Sequence, residues 1–185
     1  MSAGHAGHVD PANKKVALLI AVLALVLAFS ETLGKAAQTS ALAYHIESSN
    51  LWAFFQAKTI RQTTIRTAAE EMEAQFGQKA PEAVRKQIDA WKKTAERYQS
   101  EPETNEGRKE LMTKAKEGEA KRDRAMAAYH NYEIASAAVQ IAIVLASAEI
   151  ITGVAALLWI AYALGAVGIF FSLIGPLWPT AVHLF

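Results

Sequence analysis

Apolar residues gather at the two ends of this chain, and the segment between them follows a different rhythm. From Val16 to Leu33 the sequence reads VALLIAVLALVLAFSETL, 18 residues whose only charge is Glu31. At 1.5 Å per residue such a helix extends about 27 Å, close to the hydrocarbon thickness of a bilayer. A second apolar block runs from Ile134 to Leu177 with Glu149 as its only charge, and it has roughly twice the length that one crossing needs. Two crossings joined by a tight turn account for it. Thr152-Gly153 supplies the turn, because glycine accepts the backbone angles that end a helix, and Gly175-Pro176 supplies the stop. Tyr132, Trp159, Tyr162 and Trp178 fall near the expected ends, where amphipathic rings settle at headgroup depth.

The middle has the rhythm of water-facing helices. Ala36 to Phe76 contains no proline or glycine and continues the first span past Gly34 without a breaker. Along it, Ile46, Asn50, Ala53, Ala57, Ile60, Thr64, Thr67, Glu71 and Ala74 recur in steps of four and three, a coiled-coil spacing with a polar, small-residue seam. A second stripe, Leu51, Phe55, Ile65, Met72 and Phe76, is better filled, which predicts burial on two sides. Gly77 to Pro81 breaks the pattern. A short helix follows to Tyr98, with Val84, Ile88, Trp91 and Ala95 on one face. Ser100 to Gly107 is a polar loop, and from Arg108 helix resumes and runs into the second apolar block, with Gly118 its soft point.

These patterns predict an all-α chain: three transmembrane helices with an extramembrane, antiparallel, coiled-coil-like helical stalk between spans one and two. The expected segments are a flexible tail over 1–15, helix one over 16–34, the charged stalk over 35–133, helix two over 134–152, helix three over 154–175 and a tail over 176–185. Two rival patterns exist. A cleaved signal peptide would have a shorter apolar stretch closed by an A-x-A-like site, absent before Glu31. A single span followed by a re-entrant segment would leave much of the second apolar block unused.

Small residues suggest how the spans pack. Ala17, Ala21, Ala24 and Ala28 form one stripe, Ala138, Ala142 and Ala146 another, and Ala161 with Gly165 a small-xxx-small pair; such faces let helices approach closely.

Charge narrows the partners. Between Lys35 and Glu133 there are 17 basic and 15 acidic residues, and no cluster forms a nucleic-acid stripe, so nucleic acid is not an expected partner. The expected partners are the lipid bilayer and, through the stalk, a protein or a second copy of the chain. There is no cysteine, which excludes disulfides, cysteine-ligated metals and thiol catalysis.

Two carboxylates inside apolar segments, Glu31 and Glu149, are the candidates for ion or proton chemistry. Three alternating spans put them at opposite membrane faces, where they cannot pair. Glu31 has Lys35 four residues on, and Lys14 or Lys15 shares the side of Glu149; both acids lie near enough to a span end to snorkel. Trp52, Phe54 and Phe55, with Arg61 and Arg66, form a candidate partner-binding patch, against the plainer reading of core packing for the rings and a solvated face for the arginines. His5 and His8 are separated by Ala6 and Gly7 on a tail that preorganises no metal site. His45 and Glu47 project to different helix faces, and Ser48 and Ser49 lack an acid partner. No phosphate loop, nucleophile elbow or H-E-x-x-H is present, so no catalytic residue, metal or cofactor is expected.

The segment SNLWAFFQAKTIRQT, Ser49 to Thr63, the upstream NKKVALLIAVLALVLAFSETLGKAAQTSAL, the entry YHNYEIA and the span VQIAIVLAS together resemble a bacterial family described as domain of unknown function 4337. The resemblance covers nearly the whole chain. It implies a bacterial membrane protein with this layout and carries over no activity, substrate or catalytic residue.

Orientation is divided. Lys35, Lys114, Lys116, Lys121, Arg122 and Arg124 flank the spans on the stalk side, against Lys14 and Lys15 on the other, which favours a cytoplasmic stalk. The flanks of the first span alone favour the reverse.

Overall fold

The computed structural model describes residues 11–181, and every regular element among them is helical. The chain forms α1 (Pro11–Phe76), a 3₁₀ turn (Gly77–Lys79), α2 (Glu82–Gln99), α3 (Arg108–Thr152) and α4 (Ala155–Leu177). Three of these, α1, α3 and α4, are long and apolar enough to cross a membrane. His5 and His8, considered above as metal ligands, lie outside the described residues.

Boundaries follow local chemistry. Pro11 opens α1, where a missing N–H is harmless, so 11–15 are helical rather than tail. Gly77 ends the run at φ +52° and Gly153 separates α3 from α4 at φ +70°, both in the left-handed region that glycine enters without a Cβ clash. Pro176 does not stop α4 at once: the Trp178 N–H still donates to the Ile174 carbonyl at 2.9 Å, carrying the helix to Leu177.

The helices contribute to two compact units, one comprising Met1–Ala41 with Asp123–Phe185 and the other Leu42–Arg122. In the first, Val16, Leu23, Val139, Ala142, Ala146 and Ala161 form the core. Leu23 lies opposite Gly165, and Ser30 bonds Ser172, so α1 and α4 run parallel in one register. Gly34 against Tyr132, with Glu31 bonded to Gln140, shows α3 antiparallel to α1. Outward-facing Leu18, Leu25 and Phe29 on α1, Trp159 and Phe170 on α4, and Trp178 just after α4 are more than half exposed. Such a surface suits lipid as its solvent.

In the second unit, α2 turns its Val84, Ile88, Trp91 and Ala95 face inward, and Ile88 and Ala95 are buried. Ser48 opposite Gly118, Trp52 bonded to Glu119 and Thr59 bonded to Arg108 place α3 antiparallel to α1 here also.

One stripe organises α1 in both units. Val16, Leu23, Ser30, Ala37, Tyr44, Leu51, Lys58, Ile65 and Met72 recur every seven residues, and Ile20, Leu27, Gly34, Ala41, Ser48, Phe55, Gln62, Ala69 and Phe76 do likewise. Every one of these positions is buried or half-buried. Alternating steps of four and three keep one face of a helix turned toward its neighbours within each unit.

That phase corrects two expectations. The seam from Ile46 to Ala74 is exposed at all nine positions, because it lies on the far side of α1 from the stripe holding Leu51, Phe55, Ile65, Met72 and Phe76. The helix is buried on one side, not two. Likewise Ala17, Ala21, Ala24 and Ala28 are exposed, lying beside the packed stripe rather than in it, whereas Ala138, Ala142, Ala146, Ala161 and Gly165 are buried.

Candidate functional site

Each unit carries a polar cluster, and the insert carries an unpartnered face. In the unit holding the apolar ends, a groove of about 470 Å³ opens where the first apolar run gives way to polar residues, lined by Glu31, Lys35, Gln38, Tyr129, Glu133 and Gln140 among others. Glu31 accepts a hydrogen bond from Gln140 Nε2 at 3.3 Å. Among the described residues no ion pair joins it to Lys35, so a cross-helix bond takes the place of the expected i,i+4 pair. Beside it, the Tyr129 hydroxyl donates to Glu133 at 3.0 Å, which raises the phenol above its ordinary value, since ionising would set two anions face to face.

Deeper in the same unit, Ser30 is fully buried. Its hydroxyl lies 2.7 Å from that of Ser172, and each lies within reach of a carbonyl one turn back on its own helix, so one hydroxyl donates to the other, which in turn donates to its own carbonyl. Two hydroxyls thereby join α1 to α4 without leaving a donor unsatisfied in an apolar medium. Glu149 is remote from this: it is three residues before the α3 terminus, and among the described residues its buried Oε2 has no hydrogen-bond partner. Lys14 and Lys15 do not supply one. The two acids are not brought together.

Asn131 is also buried and donates to the Pro179 carbonyl at 3.0 Å, tying the chain after α4 back to α3.

In the other unit, Lys58 occupies an inward position of α1 and is nine-tenths buried. Its ammonium meets Glu101 at 3.4 Å and Glu106 at 3.9 Å, and lies over the rings of Phe54 and Tyr98. Arg108, the first residue of α3, donates to Thr59 at 2.8 Å, to Gln62 and to Gln99, with its guanidinium 5.1 Å from the Phe55 ring. Gln62 in turn donates to the Ala95 carbonyl. Glu110 receives the Ser100 hydroxyl at 2.6 Å and the Glu101 N–H at 3.2 Å, and that hydroxyl bond first, with the backbone N–H behind it, holds its carboxyl below the ordinary value. The loop between α2 and α3 is therefore clasped onto α1 by charged and polar groups that satisfy one another.

The aromatic patch divides. Trp52 bonds Glu119 through its indole N–H at 2.8 Å and stacks edge-on with Phe55, so both face inward. Phe54 is 37% exposed beside Lys58. Arg61 and Arg66 are exposed, and Arg66 pairs with Glu70 one turn on. They do not form one patch with the rings.

The stripe running Ala43, Ile46, Asn50, Ala53, Ala57, Ile60, Thr64 and Thr67 is exposed throughout, with Ile46 52% and Ile60 67% accessible. No charge interrupts it before Glu71. The outward face of α3 in the same unit carries Lys109, Lys116, Glu117 and Lys121 instead. A solvated helix face ordinarily holds charges.

Lys58, Arg108, Gln140 and Ser172 were not singled out by sequence. Lys58 alone carried a signal, since it falls in phase with Leu51, Ile65 and Met72. The glycines Gly168 and Gly175 were missed as packing positions; spaced four and three with Ala161, Gly165 and Ser172, they put α4 backbone against Val139 and Tyr132.

The arrangement defines an all-α chain with three helices able to cross a membrane and a helical insert between the first and second. Among the described residues no group of three or more His, Asp or Glu side chains is placed to hold a metal. Residues 12–178 match the model of the family described as domain of unknown function (DUF4337), and the chain belongs to that family. No curated protein and no solved structure matches it.

Proposed function

We propose that this protein is a multi-pass protein of the bacterial inner membrane that acts as a scaffold rather than an enzyme, its helical insert lying on the cytoplasmic side and docking a protein partner. The observation that carries this reading is the uncharged, exposed face of α1 from Ala43 to Thr67, in steps of four and three that suit another helix. Support also comes from the polar groups elsewhere. Those of the clasp bond among themselves, Ser30 bonds Ser172 and Asn131 bonds the Pro179 carbonyl, which is the work of holding helices together.

A photo-crosslinking residue at position 60, expressed in native membranes, tests it. Discrete crosslinked species are expected from position 60 and not from exposed Lys116 on α3. Uncrosslinked monomer from both positions overturns the docking role.

A second reading has one observation in its favour, the unpartnered buried oxygen of Glu149. As part of an ion or proton path it predicts a flux in liposomes that Glu149→Gln abolishes. Absence of flux with the parent protein ends that reading.

A further inference from the structure

We infer that the occupant of the outer face of α1 is the same face of a second copy of this chain, aligned parallel and in register. The inference rests on the docking role above and names its partner.

Membrane anchorage sets the geometry first. Two copies that enter one bilayer through the same first span share direction and depth, and α1 continues from that span through Phe76 without interruption. Each position on the outer face therefore meets its own counterpart. Read in that register, the face is self-compatible. Ala53 and Ala57 meet as small pairs, Ile46 and Ile60 meet as apolar pairs, and Asn50 meets Asn50. A lone asparagine at a central seam position is the residue that fixes register in parallel two-stranded coils, because it finds its hydrogen-bond partner only in the aligned arrangement.

Charge makes the same point. In a parallel pair the positions flanking the seam meet five residues apart across the interface. Here that couples Leu42 with Glu47, Gln56 with Arg61 and Thr63 with Ala68, and no like charges oppose. The first charge on the seam is Glu71, which would meet its own copy and so marks where the contact ends. A partner selected by electrostatic complementarity would face a strip of one sign. None runs along this face. Ala43 to Thr67 is three and a half heptads, about the length over which such a seam becomes specific.

The absence of natural cysteine allows a clean test in the intact protein in its membrane. Single cysteines are placed on the seam at Ala53→Cys and Ala57→Cys, and off it at His45→Cys and Arg66→Cys, all four exposed. Oxidation is expected to give disulfide dimers at least tenfold more from the seam positions, because only those bring like Cα atoms within bridging distance. Ala57→Lys, which sets two like charges together, is expected to lower co-isolation of two differently tagged copies at least tenfold. Equal or absent dimer from all four positions overturns the second copy as occupant. If position 60 nonetheless crosslinks to another protein, the docking role stands and only its partner changes; if neither forms, both readings fall.

Discussion

Lys58 and Ala142 hold the same kind of inward heptad position, one charged and one with almost no side chain, and each makes a specific demand. Burying an ammonium requires partners, and Glu101, Glu106 and two ring faces supply them. Lys58→Ala removes the buried stem and leaves Glu101 with Arg97, 3.6 Å away, as its remaining cation, so a loss of about 1–3 kcal/mol is expected, read as a lower midpoint of helix unfolding by circular dichroism in detergent. Lys58→Met keeps the packing of the stem but not the charge, so it should recover only the part of that loss that comes from packing. If Met proves as damaging as Ala, the charge itself holds the clasp. Ala142 is fully buried in the three-helix core, so Ala142→Leu overpacks it and should destabilise by about 1–3 kcal/mol. Exposed Ala21→Leu should stay within about 0.5 kcal/mol in the same assay. Sequence placed both alanines in packing stripes; the structure separates them because a small residue looks the same whether it faces a helix or lipid.

At the scale of elements, α1 is governed by the phase of its repeat. Two stripes in steps of four and three were visible along residues 46–76, and the better-filled one is the inward one. What sequence could not rank was the pair of seams, because Asn, Ala and Thr are tolerated both in a weak seam and on a solvated face. The clasp between α2 and α3 was equally hidden. Ser100, Glu101 and Glu110 read as an ordinary polar loop until chain reversal brings the Glu110 carboxylate onto the Ser100 hydroxyl. Its lowered pKa has a pH consequence. The carboxylate contributes stability above its ordinary value of 4.5, and that contribution disappears as pH falls through the lower, folded value. Thermal midpoints taken from pH 6 down to pH 3 should therefore fall more steeply for the parent than for Glu110→Gln. A slope unchanged by that substitution would assign the acid sensitivity elsewhere. Lys92 shows the opposite sign: its bond to Glu73 raises it, so that contribution is lost only as pH rises through the raised value, above 10.5.

For the whole molecule, the side on which the insert lies is the first property to test. Ser100 is occupied by its bond to Glu110, so exposed Thr104 is the better reporter. Thr104→Cys should resist an impermeant thiol reagent in intact cells and label once the cells are opened; labelling in intact cells would place the insert outside. What the sequence determined by itself is the set of helices: apolar runs of 18 and more residues, helix-forming composition between them, and Gly77 and Gly153 where the chain must turn. Those are properties of short stretches, and periodicity and backbone sterics act locally. Tertiary structure alone decided which face of each helix is inside, that Glu31 bonds Gln140 rather than Lys35, that Ser30 meets Ser172, and that Gly168 and Gly175 are contact points. Each of these joins residues far apart in sequence, so it follows from the register in which helices pack, and a local pattern carries no record of that register. The outer face of α1 is the remainder of the same operation: once the inward stripe is assigned, the uncharged positions opposite it are left without a partner.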